Sequence, residues 1–376
     1  MMEKFLECAN RWKNTEIKVA VVGQTGVGKS SFVNAIRNIK DPKHRSFAPV
    51  SSVREGTREI KTYHHPTHQN LIFYDLPGVG TPTFPRETYL KKIEIEKYDI
   101  FIIITAGRFM ENDCWLAQEA EKRKKHFYFV RTKIDRDVDS DRRQFGRREH
   151  ETVFEIREAT KESLREQNIT PDQVFLIDNF DTDIYDFNNL AIHIKNDLPS
   201  WRKEAFVLSM SAFNSEFLEE KKKMLSSRIA WIAAGSSLAA TFPIPGTGYA
   251  ADIAIIRGET ALYREQLEID DDSLTVISKK VGIPMADLIK EDKVTSAKIL
   301  KEPSAFANEI GFSAARWIVD FIPLINSVSG LMAWKYCADA LDNILSICIA
   351  EAEFRDKAVR AHIRRQREKD IGDNRQ

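Results

Sequence analysis

The sequence predicts an α/β domain with a mostly parallel β-sheet, followed by an all-helical domain. Three observations carry this prediction. A β-branched run at residues 17–22 leads through a glycine-rich turn into a helical segment, in the order strand, loop and helix. Short apolar runs then alternate with helical segments as far as Pro199. Beyond Pro199 the strand signals fade, and long segments carry helical periodicity.

The elements of the α/β domain follow from this alternation. Strands are predicted at residues 17–22, 58–64, 71–74, 99–105, 127–130 and 174–177. Helices are predicted at residues 30–38, 112–125, 149–167 and 190–198. The second and third strands flank a turn rich in His, Pro, Thr and Asn, which favours a hairpin. Because the other strands alternate with helices, the sheet is expected to be mostly parallel and covered on both faces.

The second half of the chain carries helical patterning. It is clearest at residues 216–233, 252–267 and 331–367. An uncharged run at residues 229–251 is interrupted by prolines and glycines, so we expect a buried helical hairpin rather than a transmembrane helix. The predicted domains are an N-terminal helix packed on the helical domain (1–15), the α/β domain (16–199) and the helical domain (200–376).

Composition narrows the class of partner and the compartment. Lys plus Arg and Asp plus Glu both number 56 in the 376 residues, so no nucleic-acid partner is expected from net charge. The four cysteines are widely spaced without a CxxC pair, which indicates buried thiols in a reducing compartment. The N-terminus has neither a secretory leader nor a myristoylation glycine. We therefore expect a cytoplasmic protein.

Residues 23–30 match the phosphate-binding motif GxxxxGK[ST] and lie between a predicted strand and a predicted helix. Glycines let backbone N–H groups turn inward around phosphates, and the helix N-terminus adds partial positive charge. Lys29 is expected to reach the β and γ phosphates, and Ser30 to offer its hydroxyl to Mg²⁺. The predicted contacts in this loop are Gly23, Thr25, Gly26, Val27, Gly28, Lys29, Ser30 and Ser31.

A second motif, Asp75-Leu76-Pro77-Gly78, follows a predicted strand about 50 residues downstream. On its own this DxPG sequence is typical of a turn at a strand end. After a phosphate-binding loop, it predicts that Asp75 approaches the metal through water and that the Gly78 amide senses the γ-phosphate.

A third motif, Thr132-Lys133-Ile134-Asp135, ends another strand and fits the TKxD form of guanine recognition. Asp135 can accept hydrogen bonds from both N1–H and the 2-amino group of guanine. Adenine offers no such pair of donors and would leave the carboxylate unpaired. The three motifs together predict a P-loop GTPase of the Ras-like type that binds GTP or GDP with Mg²⁺.

Two further contacts have weaker signals. Asp178 and Asn179 follow the last strand, where many GTPases place a base-contacting Ser-Ala or Ser-Asn pair. Thr57 precedes the second strand and is the candidate to supply a second hydroxyl ligand to Mg²⁺, with Ser51 and Ser52 as alternatives. The predicted metal ligands are Ser30, Thr57 and Asp75.

The side chain of Val79 has no polar group that could orient water. Val79 follows Gly78, where small Ras-like GTPases carry a water-orienting glutamine, and its side chain cannot position a nucleophile. Hydrolysis by a single molecule is therefore expected to be slow. The missing group would come from elsewhere in the chain or from another molecule, and self-association of GTP-bound domains is one hypothesis.

The sequence segments at and between the motifs resemble those of the immunity-related GTPases, an interferon-inducible, dynamin-like family. The segments that carry the resemblance are 19–23, 75–80, 84–85, 88–90, 98–104, 108–109, 112–113 and 127–133. The resemblance implies a G domain joined to a helical domain, GTP-dependent dimers or oligomers, and peripheral action at intracellular membranes in cell-autonomous defence. It also implies that hydrolysis is completed across a G-domain dimer.

The resemblance assigns roles to three positions at that dimer interface, namely Glu59, Arg108 and Asp113. Glu59 is the candidate for the missing catalytic group, and the candidate catalytic set is Lys29, Glu59, Gly78 and Arg108. This chain departs from family members that have a longer N-terminal segment with a myristoylation glycine. Met110-Glu111 also stands where some members carry a basic pair.

Two other functions stay open. One is a regulatory module that binds GTP or GDP with little turnover. Val79 leaves this function open, because its side chain cannot position a nucleophile. The other is a ribosome-assembly GTPase of the Era type, which shares the DxPG motif. That type predicts a basic RNA-binding appendage, whereas this second half is helical and the whole chain is neutral.

Overall fold

The computed structural model describes most of the chain. The described residues are 7–39, 41–50, 59–169, 174–210, 215–239, 247–292, 294–304, 306 and 326–373. They fall into two compact units, one comprising Trp12–Met210 and the other comprising Met1–Arg11 with Ser211–Gln376. The domain boundaries inferred from sequence, at residues 15 and 199, stay predictions.

The first unit is built on a six-stranded sheet in the order β2-β3-β1-β4-β5-β6. The strands are β1 (Ile17–Gly23), β2 (Lys61–His64), β3 (Leu71–Asp75), β4 (Ile100–Thr105), β5 (His126–Arg131) and β6 (Val174–Leu176). Only the β2–β3 pair is antiparallel; the other pairs are parallel. The predicted sheet and its hairpin are confirmed. Because β1, β3 and β4 are sandwiched between helices, nearly all their residues are buried and apolar.

The helices of this unit are α1 (Lys29–Ile36), α2 (Arg86–Ile93), α3 (Glu111–Lys122), α4 (Ile134–Phe145), α5 (Glu149–Glu166), α6 (Phe187–Asp197) and α7 (Ser200–Ser209). Sequence patterning predicts four of the first six and misses α2 and α4. In α4 only Ile134 and Val138 are buried, and charged residues fill most of the helix. With so few apolar residues, the segment resembles a charged surface loop in composition, and this is why the sequence does not predict it as a helix. Gly146, with φ of 67°, ends it.

The second unit is helical, as the sequence predicts. Its helices are α8 (Ser215–Ala239), α9 (Thr247–Gln266), α10 (Asp271–Val281), α11 (Met285–Leu288), α12 (Ser296–Lys301) and α13 (Asn326–Asp373). α8 and α9 are joined by a buried bidentate ion pair in which Arg228 donates to Glu259 at 2.9 and 2.8 Å. The carbonyls at the end of α9 accept from the buried side chains of Lys221 and Arg355, which favours the helix because cations complement its C-terminal dipole.

Two expectations about the whole chain can be compared with the described residues. No helix in the described part of the chain combines the length and the apolar character of a membrane-spanning segment. The predicted hairpin at 229–251 falls partly outside the described residues. All four cysteines are free, and three are buried, but Cys8 is exposed. The expectation of buried thiols is therefore wrong for Cys8.

Candidate nucleotide site

The loop between β1 and α1 has the conformation that its glycines permit. Gly26 and Gly28 have φ of 80° and 98°, in the left-handed region that other residues seldom adopt. Gly28 is the N-cap residue of α1, and no side chain caps that helix. The first backbone N–H groups of α1 are therefore not used by a capping side chain, and such groups at a helix N-terminus bind phosphate oxygens.

Lys29 is the first residue of α1, and its side chain is only 6% exposed. Its ammonium group donates to the backbone oxygens of Gly23 at 2.9 Å and Gln24 at 3.1 Å. Burial lowers the pKa of Lys29, and the carboxylates of Asp75 and Asp113 partly offset this. The charge is thus held inside the loop, where a phosphate group would also be desolvated.

The outer side of the phosphate loop is held by the two loops predicted to bind guanine. Three consecutive backbone oxygens each accept one bond from a side chain of those loops. The bonds run from Lys133 Nζ to Gly26 O (2.6 Å), from Thr132 Oγ1 to Val27 O (2.5 Å) and from Asn179 Nδ2 to Gly28 O (3.2 Å). Because these carbonyls are satisfied from outside, the loop is fixed with its N–H groups inward. The motif pattern alone does not reveal these contacts.

Asp135 and Asp178 supply the acceptors on the base side. Asp135 is in the first turn of α4, and Lys133, the N-cap residue of that helix, has a φ of 63°. Asp178 is buried and accepts from the Phe180 N–H at 2.8 Å. Burial raises the pKa of Asp178, and the nearby charge of Asp135 raises it further. The side-chain oxygen of Asn179 is buried without a partner among the described residues. This acceptor-rich wall fits a base edge that offers N–H donors.

Ser30 and Asp75 form the metal side of the site. The Ser30 hydroxyl donates to Asp75 Oδ2 at 2.9 Å, and Asp75 is 1% exposed at the end of β3. These are hard oxygen donors, and Mg²⁺ typically uses one or two of them together with water and substrate phosphates. Among the described residues there is no group of three or more His, Cys, Asp or Glu side chains that would build an all-protein site. The Ser30 hydroxyl and the Asp75 carboxylate fit the donor set of Mg²⁺ bound with a nucleotide.

The DxPG loop lies against the phosphate loop. A Cβ built on Gly78 would stand 3.1 Å from the backbone oxygen of Gly23, so the two loops touch at this glycine. Val79 is buried, and its backbone oxygen accepts from Asn112 Nδ2 of α3 at 3.2 Å. Its apolar side chain is therefore used in packing, which agrees with the expectation that it does not position water.

Some predicted site residues are not brought together in the described structure. Thr57, with its rivals Ser51 and Ser52, lies outside the described residues. Glu59 and Arg108 are exposed. Asp113, expected at the dimer interface, is 4% exposed and accepts from the Met110 N–H at 2.9 Å. Its carboxylate therefore caps the start of α3 and adds negative potential at Lys29.

Replacing Gly23 by alanine is expected to destabilise the first unit. The new Cβ would lie 2.1 Å from the backbone oxygen of Ile104 in the neighbouring strand, and backbone cannot move aside as a flexible side chain does. We expect a loss of about 3 kcal/mol or more in the free energy of unfolding. Gly26→Ala is the control, because nothing lies within 4 Å of its added Cβ and its positive φ costs only about 1–2 kcal/mol. Urea denaturation without nucleotide measures both, and equal losses would contradict the steric explanation.

Fold and site together define a P-loop protein of the GTPase fold class. The family model for interferon-inducible GTPases (IIGP) matches residues 2–327, and this chain belongs to that family. The resemblance to the immunity-related GTPases read from the segments between motifs is thereby confirmed.

Relatives agree with this assignment. Interferon-inducible GTPase 5 of Rattus norvegicus is 34% identical over 280 residues, covering 73% of this chain and 60% of the relative. The protein of the same name from Bos taurus is 36% identical, with coverages of 73% and 59%. Interferon-gamma-inducible GTPase 10 of Mus musculus is 32% identical over 316 residues, covering 84% and 73%. This chain therefore spans about 60% of the length of the first two relatives.

Proposed function

We propose that this protein binds GTP and GDP with Mg²⁺ and hydrolyses GTP to GDP and phosphate. The observation that carries the proposal is the convergence of three features on one loop. Lys29 is buried inside it, the Ser30–Asp75 pair lies at its helical end, and the loops bearing Asp135 and Asn179 bind its outer carbonyls. Membership of the interferon-inducible GTPase family supports the same activity.

Each part of the site has a separate task in this proposal. Backbone N–H groups of residues 24–31 and the Lys29 ammonium would neutralise the phosphates. Ser30 and Asp75, with Thr57, would hold Mg²⁺, which would supply positive charge to neutralise the phosphates. Asp135 would select guanine, with Asp178 and Asn179 completing the base side. Gly78 would donate its N–H to the γ-phosphate.

Hydrolysis, in this proposal, depends on a second copy of the chain. Val79 is apolar and packed, so no side chain at that position can orient water. Exposed Glu59 and Arg108 are available at the surface of the unit that carries the site. A dimer of G domains would bring these groups to the nucleotide of the partner molecule, and higher oligomers would follow from repeated contacts. Cytoplasmic location and peripheral membrane contact through the helical unit belong to the same proposal.

The rate of GTP hydrolysis per molecule is expected to rise with protein concentration. Dilution separates the two copies and removes the groups that complete the site. The measurement is phosphate release across a hundredfold range of concentration, with light scattering in GTPγS to detect the dimer. Arg108→Ala is expected to reduce the increase of this rate with concentration by at least about tenfold, because one cation that stabilises the transition state is lost.

Arg165→Ala is the matched control, since Arg165 is an exposed arginine of α5 in the same unit. It is expected to leave the concentration dependence unchanged. Specific activity that stays flat on dilution, without a GTP-dependent dimer, would favour the alternative function, a GTP- and GDP-binding regulatory module with little turnover. Single-turnover hydrolysis at high concentration then separates an isolated enzyme from that module.

A further inference from the structure

Tyr89 carries a buried hydroxyl that the proposed function does not yet use. It lies on α2 and is fully buried, with its ring edge-on to those of Phe84 and Trp115. Its hydroxyl donates to the backbone oxygen of Pro77 at 2.7 Å. Burial raises the pKa of Tyr89 well above its ordinary value, so the phenol keeps its proton and stays a donor.

The acceptor of this bond belongs to the same peptide unit as the Gly78 N–H. The peptide linking Pro77 and Gly78 is planar and trans, so its C=O and N–H point in opposite directions. A hydrogen bond that fixes the oxygen therefore fixes the direction of the N–H. A hydrogen-bonded carbonyl also polarises its peptide, which makes the N–H a stronger donor.

This peptide lies at the phosphate loop. A Cβ on Gly78 would meet the backbone oxygen of Gly23 at 3.1 Å. Within the described part of the chain, no backbone acceptor is found for the Gly78 N–H. The Tyr89 bond therefore acts on a peptide that borders the phosphate loop, and the N–H of this peptide has no backbone acceptor among the described residues.

We propose that Tyr89 is a positioning residue that presets the Gly78 N–H toward the third phosphate, so that the protein distinguishes GTP from GDP. This inference rests on the proposed function, because it assumes that Gly78 meets the γ-phosphate. GDP lacks the group that the N–H would contact. Loss of the Tyr89 hydroxyl should therefore weaken binding of the triphosphate and leave binding of the diphosphate unchanged.

Tyr98 provides a matched control within the same core. It is also fully buried, and its hydroxyl has no hydrogen-bond partner among the described residues. Tyr89→Phe and Tyr98→Phe thus remove the same atom from the same apolar cluster, one with a bond to the DxPG loop and one without. Dissociation constants for GDP and GTPγS are measured by isothermal titration calorimetry on the full chain. The ratio of the GDP constant to the GTPγS constant is expected to fall about tenfold in Tyr89→Phe, the effect of one hydrogen bond, and to stay at the wild-type value in Tyr98→Phe.

An NMR measurement reads the same peptide directly. The sequence contains two Pro-Gly pairs, Pro77-Gly78 and Pro245-Gly246, so labelling proline at ¹³C′ and glycine at ¹⁵N isolates two amide signals. In wild type and Tyr98→Phe, one of them is expected to shift downfield with GTPγS relative to GDP. Tyr89→Phe is expected to lose most of that difference. A purely structural role for Tyr89 would lower thermal stability and weaken both nucleotides equally.

The outcomes separate this inference from the proposed function. If Tyr89→Phe keeps the wild-type affinity ratio, or Tyr98→Phe loses it equally, the positioning role is overturned while guanine-nucleotide binding stands. If wild type does not prefer GDP and GTPγS to ATP, the proposed function itself fails. If Tyr89→Phe does not fold, Phe84→Leu is measured instead, because this replacement loosens the contact with the Tyr89 ring. A wild-type difference in the amide shift between GTPγS and GDP in Phe84→Leu then overturns the positioning role.

Discussion

Lys29→Ala is expected to lower the affinity for GTP and GDP by at least about a hundredfold, because removing one partner of a buried charge pair costs about 2–5 kcal/mol. Lys29 is buried and makes two bonds to the loop that it serves. No other lysine side chain donates to those two carbonyls in the described structure. Isothermal titration calorimetry with GDP and GTPγS gives the affinities.

Two further variants separate charge from fold. Lys29→Met keeps the length and packing of the side chain and removes the charge, so its stability should equal or exceed that of wild type, since a buried ammonium is desolvated. Its nucleotide affinity should fall as far as that of Lys29→Ala. Lys221→Met removes a second buried lysine, in the helical unit, and should leave affinity unchanged. Nucleotide binding retained by a folded Lys29→Met variant would refute the proposed role.

The sequence alone predicts the strands of the sheet and the site residues that follow the ends of those strands. Apolar β-branched runs such as Ile100–Thr105 are buried on both faces, so their composition indicates strands without further context. Each motif then follows a strand, and parallel strands bring their carboxyl ends to one edge of the sheet. For this reason the sequence alone predicts that the phosphate loop, Asp75 and the TKxD segment lie at the same edge of the sheet.

Other features depend on contacts between residues far apart in the chain. The sequence does not predict α4 because charged residues fill most of it and only two of its residues, Ile134 and Val138, are buried. The bond from Asn179 to Gly28 O joins residues 151 positions apart, and a motif at position 179 indicates a base contact but not this brace. The resemblance places Asp113 at a dimer interface, which stays a prediction, but it does not reveal that the buried carboxylate caps the start of α3. Tyr89 carries no local signal of a bond to Pro77.

Asp135→Asn is expected to change the base preference of the protein from guanine to xanthine. A carboxylate accepts from both N1–H and the 2-amino group of guanine, and an asparagine amide can accept from only one of them. Xanthine has a carbonyl in place of the 2-amino group, so the amide N–H of asparagine gains an acceptor there. Two charge-assisted bonds are worth about 3–6 kcal/mol together, so the ratio of GTP to XTP affinity should fall by roughly 10²–10⁴.

Asp139→Asn is the matched control for this exchange. Asp139 lies on α4 one turn beyond Asp135, and its side chain is about half exposed in a surface pair with Arg142. The same charge is removed from the same helix, so a general electrostatic effect on the triphosphate would appear in both variants. Competition between XTP and GTP for a fluorescent GDP analogue measures the ratio. A wild-type ratio in Asp135→Asn would mean that another group reads the base, and Asp178, whose raised pKa in part reflects the charge of Asp135, would be the next residue to replace.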